Sequence, residues 1–89
     1  MAKSRISNLP MCTRCGSTKN LHHHHLLNGP NRKKSDEDGL WIYLCEECHE
    51  YVHNHKQVLL SYKEMGQKVY EREIGTREDF MKRYRRNYL

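Results

Sequence analysis

"CEECHEYVHNH", residues 45–55, carries two kinds of metal ligand at close spacing, and its reading decides the rest of the chain. Cys45 and Cys48 form a Cys-x-x-Cys pair, and His49 and His53 follow, four positions apart. Side chains at that separation leave one face of a helix, so the two imidazoles can grip a single divalent ion. Glu46 and Glu47 suit the positive N-terminal end of such a helix. His55, two positions past His53, points elsewhere.

A matching pair stands upstream in "MCTRCG" (residues 11–16), where Cys12 and Cys15 precede a glycine. Gly16 can take the positive φ that a tight chelating turn needs. The pairs are separated by 29 residues, and four thiolates complete the closed tetrahedral shell of a structural Zn²⁺. No secretory signal or membrane-length apolar run is visible, so a cytoplasmic location and reduced thiols are expected, with no membrane partner. The zinc matters because 89 residues with 36% apolar content form a small core. A site of this kind can contribute roughly 10 kcal/mol to folding.

Between the pairs, "LHHHHLL" (21–27) is long enough for a strand, and "LWIYL" (40–44) is β-branched and aromatic enough for a second. "NGPNRKKSDEDG" (28–39), rich in Asn, Gly, Pro and charge, is expected to be a loop. One zinc then closes the two knuckles around a β-hairpin. Trp41 and Tyr43, alternating on the second strand, are expected to pack and not to stack on bases. The C-terminal third reads as helical, with Val58, Tyr62, Met65 and Val69 as an apolar stripe. Gly75 is expected to cap that helix, and Thr76 with Asp79 resembles a capping box that opens another. In the last helix Phe80 and Tyr84 face one way, while Lys82, Arg83, Arg85 and Arg86 form either a DNA-facing row or a solvated face. The balance of 16 Lys and Arg against 11 Asp and Glu favours a polyanionic partner.

Adjacent histidines on a strand, a loop, a second strand and His-x-x-x-His on a helix resemble the HNH endonucleases, also called ββα-metal or His-Me finger nucleases. More narrowly, "HHLLNGPNRKKSDEDGLWIYLCEECH" (24–49) and "REDFMKRYRRNYL" (77–89) are similar to small phage proteins of the recombination-enhancement, RecA-dependent nuclease group. The resemblance covers residues 12–89. It implies an α+β fold: a small ββα-metal finger with a four-cysteine zinc-knuckle pair and a C-terminal helical tail. The expected division is a flexible lead-in (1–11), a zinc-stapled core (12–55) and helices packed on that core (56–89).

The resemblance further implies that His24 joins His49 and His53 around a catalytic divalent ion (Mg²⁺, Mn²⁺, Ni²⁺ or Zn²⁺). His25 would be the general base; imidazole, with an ordinary pKa near ~6.5, suits that task at neutral pH. The register of this working pair within His22–His25 stays open by one or two positions, and the remaining histidines fall outside the motif. Consecutive strand residues face opposite ways, so His24 and His25 are expected where the strand ends and twists. Gly39 and Leu40 stand where the family pattern has its middle asparagine, leaving Asn31 or Asn28 as candidates to support the base. Arg32, Lys33 and Lys34 are read as phosphate-positioning residues. The implied partners are DNA, cut with little sequence preference, and a recombinase filament. The competing reading is a non-catalytic zinc-binding module for nucleic acid or a recombination protein, and a zinc-stabilised protein-interaction domain is a third.

Overall fold

The computed structural model describes residues 2–89; the first residue of the 1–11 lead-in lies outside them. The chain forms β1 (Leu21–His25), a 3-10 turn (Gly29–Asn31), α1 (Arg32–Glu37), β2 (Trp41–Cys45), α2 (Glu46–His53), α3 (Lys56–Glu73) and α4 (Arg77–Tyr84). It is a small α+β fold with a two-stranded antiparallel sheet and four α-helices. No helix among the described residues is long and apolar enough to cross a membrane.

β2 anchors the sheet. Ile42 and Leu44 are wholly buried on one face, while Trp41 and Tyr43 occupy the other. β1 has little strand character of its own and takes its register from β2, with His24 opposite Ile42 and His25 opposite Trp41. The period of two therefore sends His22 and His24 toward α2 and His23 to the opposite face, while His25, at the end of the strand, opens onto the cavity beside His24. His23 stacks on Trp41 with ring centres 4.1 Å apart, so both aromatic residues of β2 pack within the protein as expected.

The lead-in expected to be flexible is instead tied along β2 and the turn before it. Trp41 Nε1 donates to the Ala2 carbonyl at 2.9 Å, Arg5 N to Gly39 O at 2.9 Å, and Ser4 Oγ to Trp41 O. This crossing explains why residue 39 is glycine. Gly39 has φ +70°, and a Cβ there would lie 2.4 Å from the Lys3 carbonyl oxygen.

Residues 28–39 are not an open loop, because they contain the 3-10 turn and α1. Fully buried Ser35 fixes α1: its hydroxyl accepts from Leu27 N and donates to Leu40 O, bridging the ends of the two strands. Asp38, just beyond α1, accepts from the Tyr84 hydroxyl and from Arg83 Nε, both at 2.6 Å. Lys34 Nζ donates to Arg83 O at 2.7 Å and Asn31 Nδ2 to Tyr84 O at 3.0 Å, joining this segment to the end of α4.

α3 lies across the back of the core. Gly66 presses on Leu26 and Leu27, with space for a Cβ only 3.0 Å from Leu26. Tyr62 and Val69 of the apolar stripe are buried, and Phe80 and Tyr84 pack with Tyr70. The Thr76–Asp79 capping box forms in both directions. Gly75 does not act as a left-handed cap, since Ile74 caps α3 and the positive-φ glycines are Gly16, Gly29 and Gly39. Glycine is needed there because a Cβ would sit 2.8 Å from the Asp79 carboxylate that closes the capping box.

Candidate metal centres

Two groups of ligand atoms converge, each within 4.8 Å: the sulfurs of Cys12, Cys15, Cys45 and Cys48, and one ring nitrogen each from His24, His49 and His53. Both depend on the junction of β2 with α2, since Cys45 ends the strand and Cys48 and His49 lie in the helix's first turn.

The sulfur cluster is built from two turns. Cys12 and Cys15 flank a turn closed by Gly16 N donating to Cys12 O at 2.9 Å, with Gly16 at φ +80°. Cys45 caps α2, its sulfur accepting from Cys48 N at 3.5 Å. The sulfurs of Cys15 and Cys45 are 3.7 Å apart. A tetrahedron with Zn–S bonds of ~2.3 Å has edges of about 3.8 Å, so the spacing suits zinc. Electrostatics points the same way. Burial opposes ionisation of Cys12, but backbone hydrogen bonds from Cys45, Cys15 and Arg14 outweigh it and bring its pKa to about 6. Burial and the neighbouring sulfurs push Cys48 up to about 12. The Cys12 thiolate therefore forms readily while Cys15 and Cys48 resist, a conflict that a bound cation removes. The four cysteines, all free thiols, suit a structural metal such as zinc.

The imidazole cluster joins sheet to helix. His49 and His53 approach through their Nε2 atoms at 3.1 Å, and the His24 ring centre lies 5.3 Å from each of theirs. His24 is 1% exposed, and its Nε2 is the one buried side-chain nitrogen or oxygen among the described residues without a hydrogen-bond partner. Burial, then the neighbouring His49, His53 and His25, lowers the His24 pKa to about 3, holding it in the neutral form that binds metals. Burial also lowers His49, with His53 and His22 adding to the effect. The orphaned nitrogen and the three rings form a donor set that fits a divalent ion; no carboxylate belongs to it.

His25, the last residue of β1, shares a cavity of about 330 Å³ with the three rings and Arg32. Its Nε2 donates to Asp36 Oδ1 at 3.3 Å. The partner of His25 is thus the carboxylate on α1, while the Asn31 amide is engaged by Tyr84 O. Of the basic trio, Arg32 lines the cavity and Lys33 a neighbouring depression, but Lys34 faces the end of α4. His55 stacks on Tyr51 at 3.8 Å, away from the cluster.

Two contributors escaped the sequence reading. His22 Nδ1 lies 3.0 Å from His49 Nδ1. The signal was present, because residues two apart on a strand share a face and His22 must follow His24. Asp36 carried no such signal, since nothing marked its segment as helical. The chain matches no protein-family model, and no curated protein or solved structure is found to be similar to it.

Proposed function

We propose that this chain is a single-metal DNA endonuclease of the ββα-metal type that hydrolyses phosphodiester bonds with low sequence specificity. The observation that supports this most is the meeting of His24, His49 and His53, with a buried unpartnered nitrogen, in the cavity that also holds His25. A divalent ion held there would polarise a phosphate oxygen and offset charge on the departing 3′ oxygen. Three neutral ligands leave such an ion's charge uncompensated, which favours an anionic substrate.

The remaining work falls to the chain's own groups. With its Nε2 proton given to Asp36, His25 keeps a lone pair on Nδ1 and can take a proton from water. The water oxygen bonds to phosphorus as the bond to the 3′ oxygen breaks; that oxygen takes a proton from solvent, and His25 returns its own. Arg32, always charged, is placed to hold the non-bridging oxygens. These contacts address phosphate and not base edges, which accounts for the low specificity.

His22 orients the site. A His49 that offers its Nε2 lone pair to an ion carries its proton on Nδ1 and donates it to His22 Nδ1. Replacing His22 with leucine is expected to weaken Mn²⁺ binding by about tenfold, and glutamine, which can accept the same hydrogen bond, to restore most of it. Titration calorimetry decides this, and unchanged affinity in the leucine variant would leave His49 held by packing alone.

Nicking of supercoiled plasmid with Mg²⁺, Mn²⁺ or Ni²⁺ tests the activity. Wild type is expected to cut, and His53→Ala to lose metal-dependent cutting while retaining its tightly bound zinc. DNA binding without cutting under all three ions would make the chain a zinc-stapled binding module. Loss of the tight zinc from His53→Ala would show that the two clusters are not separate sites.

A further inference from the structure

Three surface depressions meet at Gly29. The first is the imidazole cavity, and the second, about 520 Å³, runs past His25 to Lys33. A third, about 360 Å³, lies between the Asn28–Asn31 turn and Lys63, Arg86 and Tyr88. Gly29 has φ +65°, and a Cβ built on it would meet no protein atom within 4 Å. The backbone at the meeting point therefore faces open space, as it does where another chain approaches closely.

The third depression is held in shape by specific bonds. α4 stops at Arg85, which takes a left-handed φ of +57°, a conformation unfavourable for a residue with a side chain. The chain then folds back over α3, where fully buried Gln67 receives it. Gln67 Oε1 accepts from Tyr88 N at 2.6 Å, and Gln67 Nε2 donates to Asn87 Oδ1 at 2.9 Å. Asn31, bonded to Tyr84 O, fixes the opposite wall. Lys63 sits 5.7 Å above the Tyr88 ring. Among the described residues, Lys63, Arg86, Arg32 and Lys33 have no carboxylate within 4.0 Å, as is also true of Lys56, Lys68 and Lys82, whereas on α3 and α4 Arg72 and Arg77 each pair with one and Arg83 with two. The cations that line the connected depressions are thus free to meet an external anion.

We propose that the cleft of Lys63, Arg86 and Tyr88 is a second nucleic-acid backbone site, holding a phosphate of the same strand whose scissile phosphodiester lies in the imidazole cavity. The strand passes over Gly29, where no side chain obstructs it. The assignment rests on the endonuclease reading for the cavity end of the strand, and it makes a separate demand on binding.

Fluorescence anisotropy with a labelled DNA duplex, titrated at a series of NaCl concentrations without added Mg²⁺, measures that demand. Wild type is compared with Lys63→Gln/Arg86→Gln and with Lys19→Gln/Lys68→Gln, which removes the same charge from exposed positions elsewhere; unchanged zinc content and circular dichroism confirm folding. Loss of that phosphate contact should flatten the dependence of log K on log salt by about 0.9 and weaken binding at least tenfold, while the control pair stays near wild type. Equal effects of the two double variants, or no duplex binding by wild type, would overturn the proposal. A flattened slope in a chain that never nicks plasmid keeps the cleft and removes the nuclease. Nicking with an unaltered slope keeps the nuclease and removes the cleft.

Discussion

Serine at Cys45 is expected to leave the chain without a cooperative unfolding transition, and stripping the metal from wild type to do the same. Cys45 closes β2, caps α2 and supplies one sulfur of the four, so its loss acts on sheet, helix and metal together. At typical values, a chain of 89 residues has a net stability of roughly 4–13 kcal/mol. Structural zinc sites bind with about 10–16 kcal/mol, an amount comparable to that whole margin. Far-UV circular dichroism, thermal melts and zinc content measured together check this. A Cys45→Ser chain that melts cooperatively within a few degrees of wild type would show that the sulfurs do not hold a structural ion.

Alanine at His25 is expected to lower plasmid nicking by about 10²–10⁴-fold, the usual contribution of a positioned acid–base group, with folding and zinc content unchanged. The side chain ends β1 and is partly exposed to the cavity, so its removal costs the core little. Asp36→Leu should cost less, on the order of 10²-fold, because the ring remains but loses the carboxylate that fixes its tautomer and direction. Full cutting by His25→Ala would remove the base assignment, whereas a silent Asp36→Leu would remove only the orienting role.

What could be read from the sequence follows the range of the interactions. The two Cys-x-x-Cys pairs and His49-x-x-x-His53 are local spacings that fix ligand geometry within a turn or a helix, and the structure brings both sets together. β2 was legible because a strand buried on both faces leaves a β-branched and aromatic run in the sequence. α1 was not: Ser35 alone is buried in it, so no apolar period betrays a helix, and its stability comes from hydroxyl bonds to both strands. Lys34 was read as positioning phosphate and Asn31 as a support for the base, yet their partners lie 49 and 53 positions away at the end of α4. Gly39 is set by the lead-in that crosses it, a contact 36 positions away in the chain that no local pattern signals.

Cys48 and His49 are chain neighbours belonging to different ligand sets. The helix that presents His49 and His53 starts on the sulfur of Cys45. Until the thiolates have captured their ion, that helix has no fixed phase and the imidazoles have no common focus. The sulfur set is therefore expected to fill first, and on the proposed endonuclease reading a freshly synthesised chain starved of zinc would stay inert toward DNA however much of the second ion surrounded it.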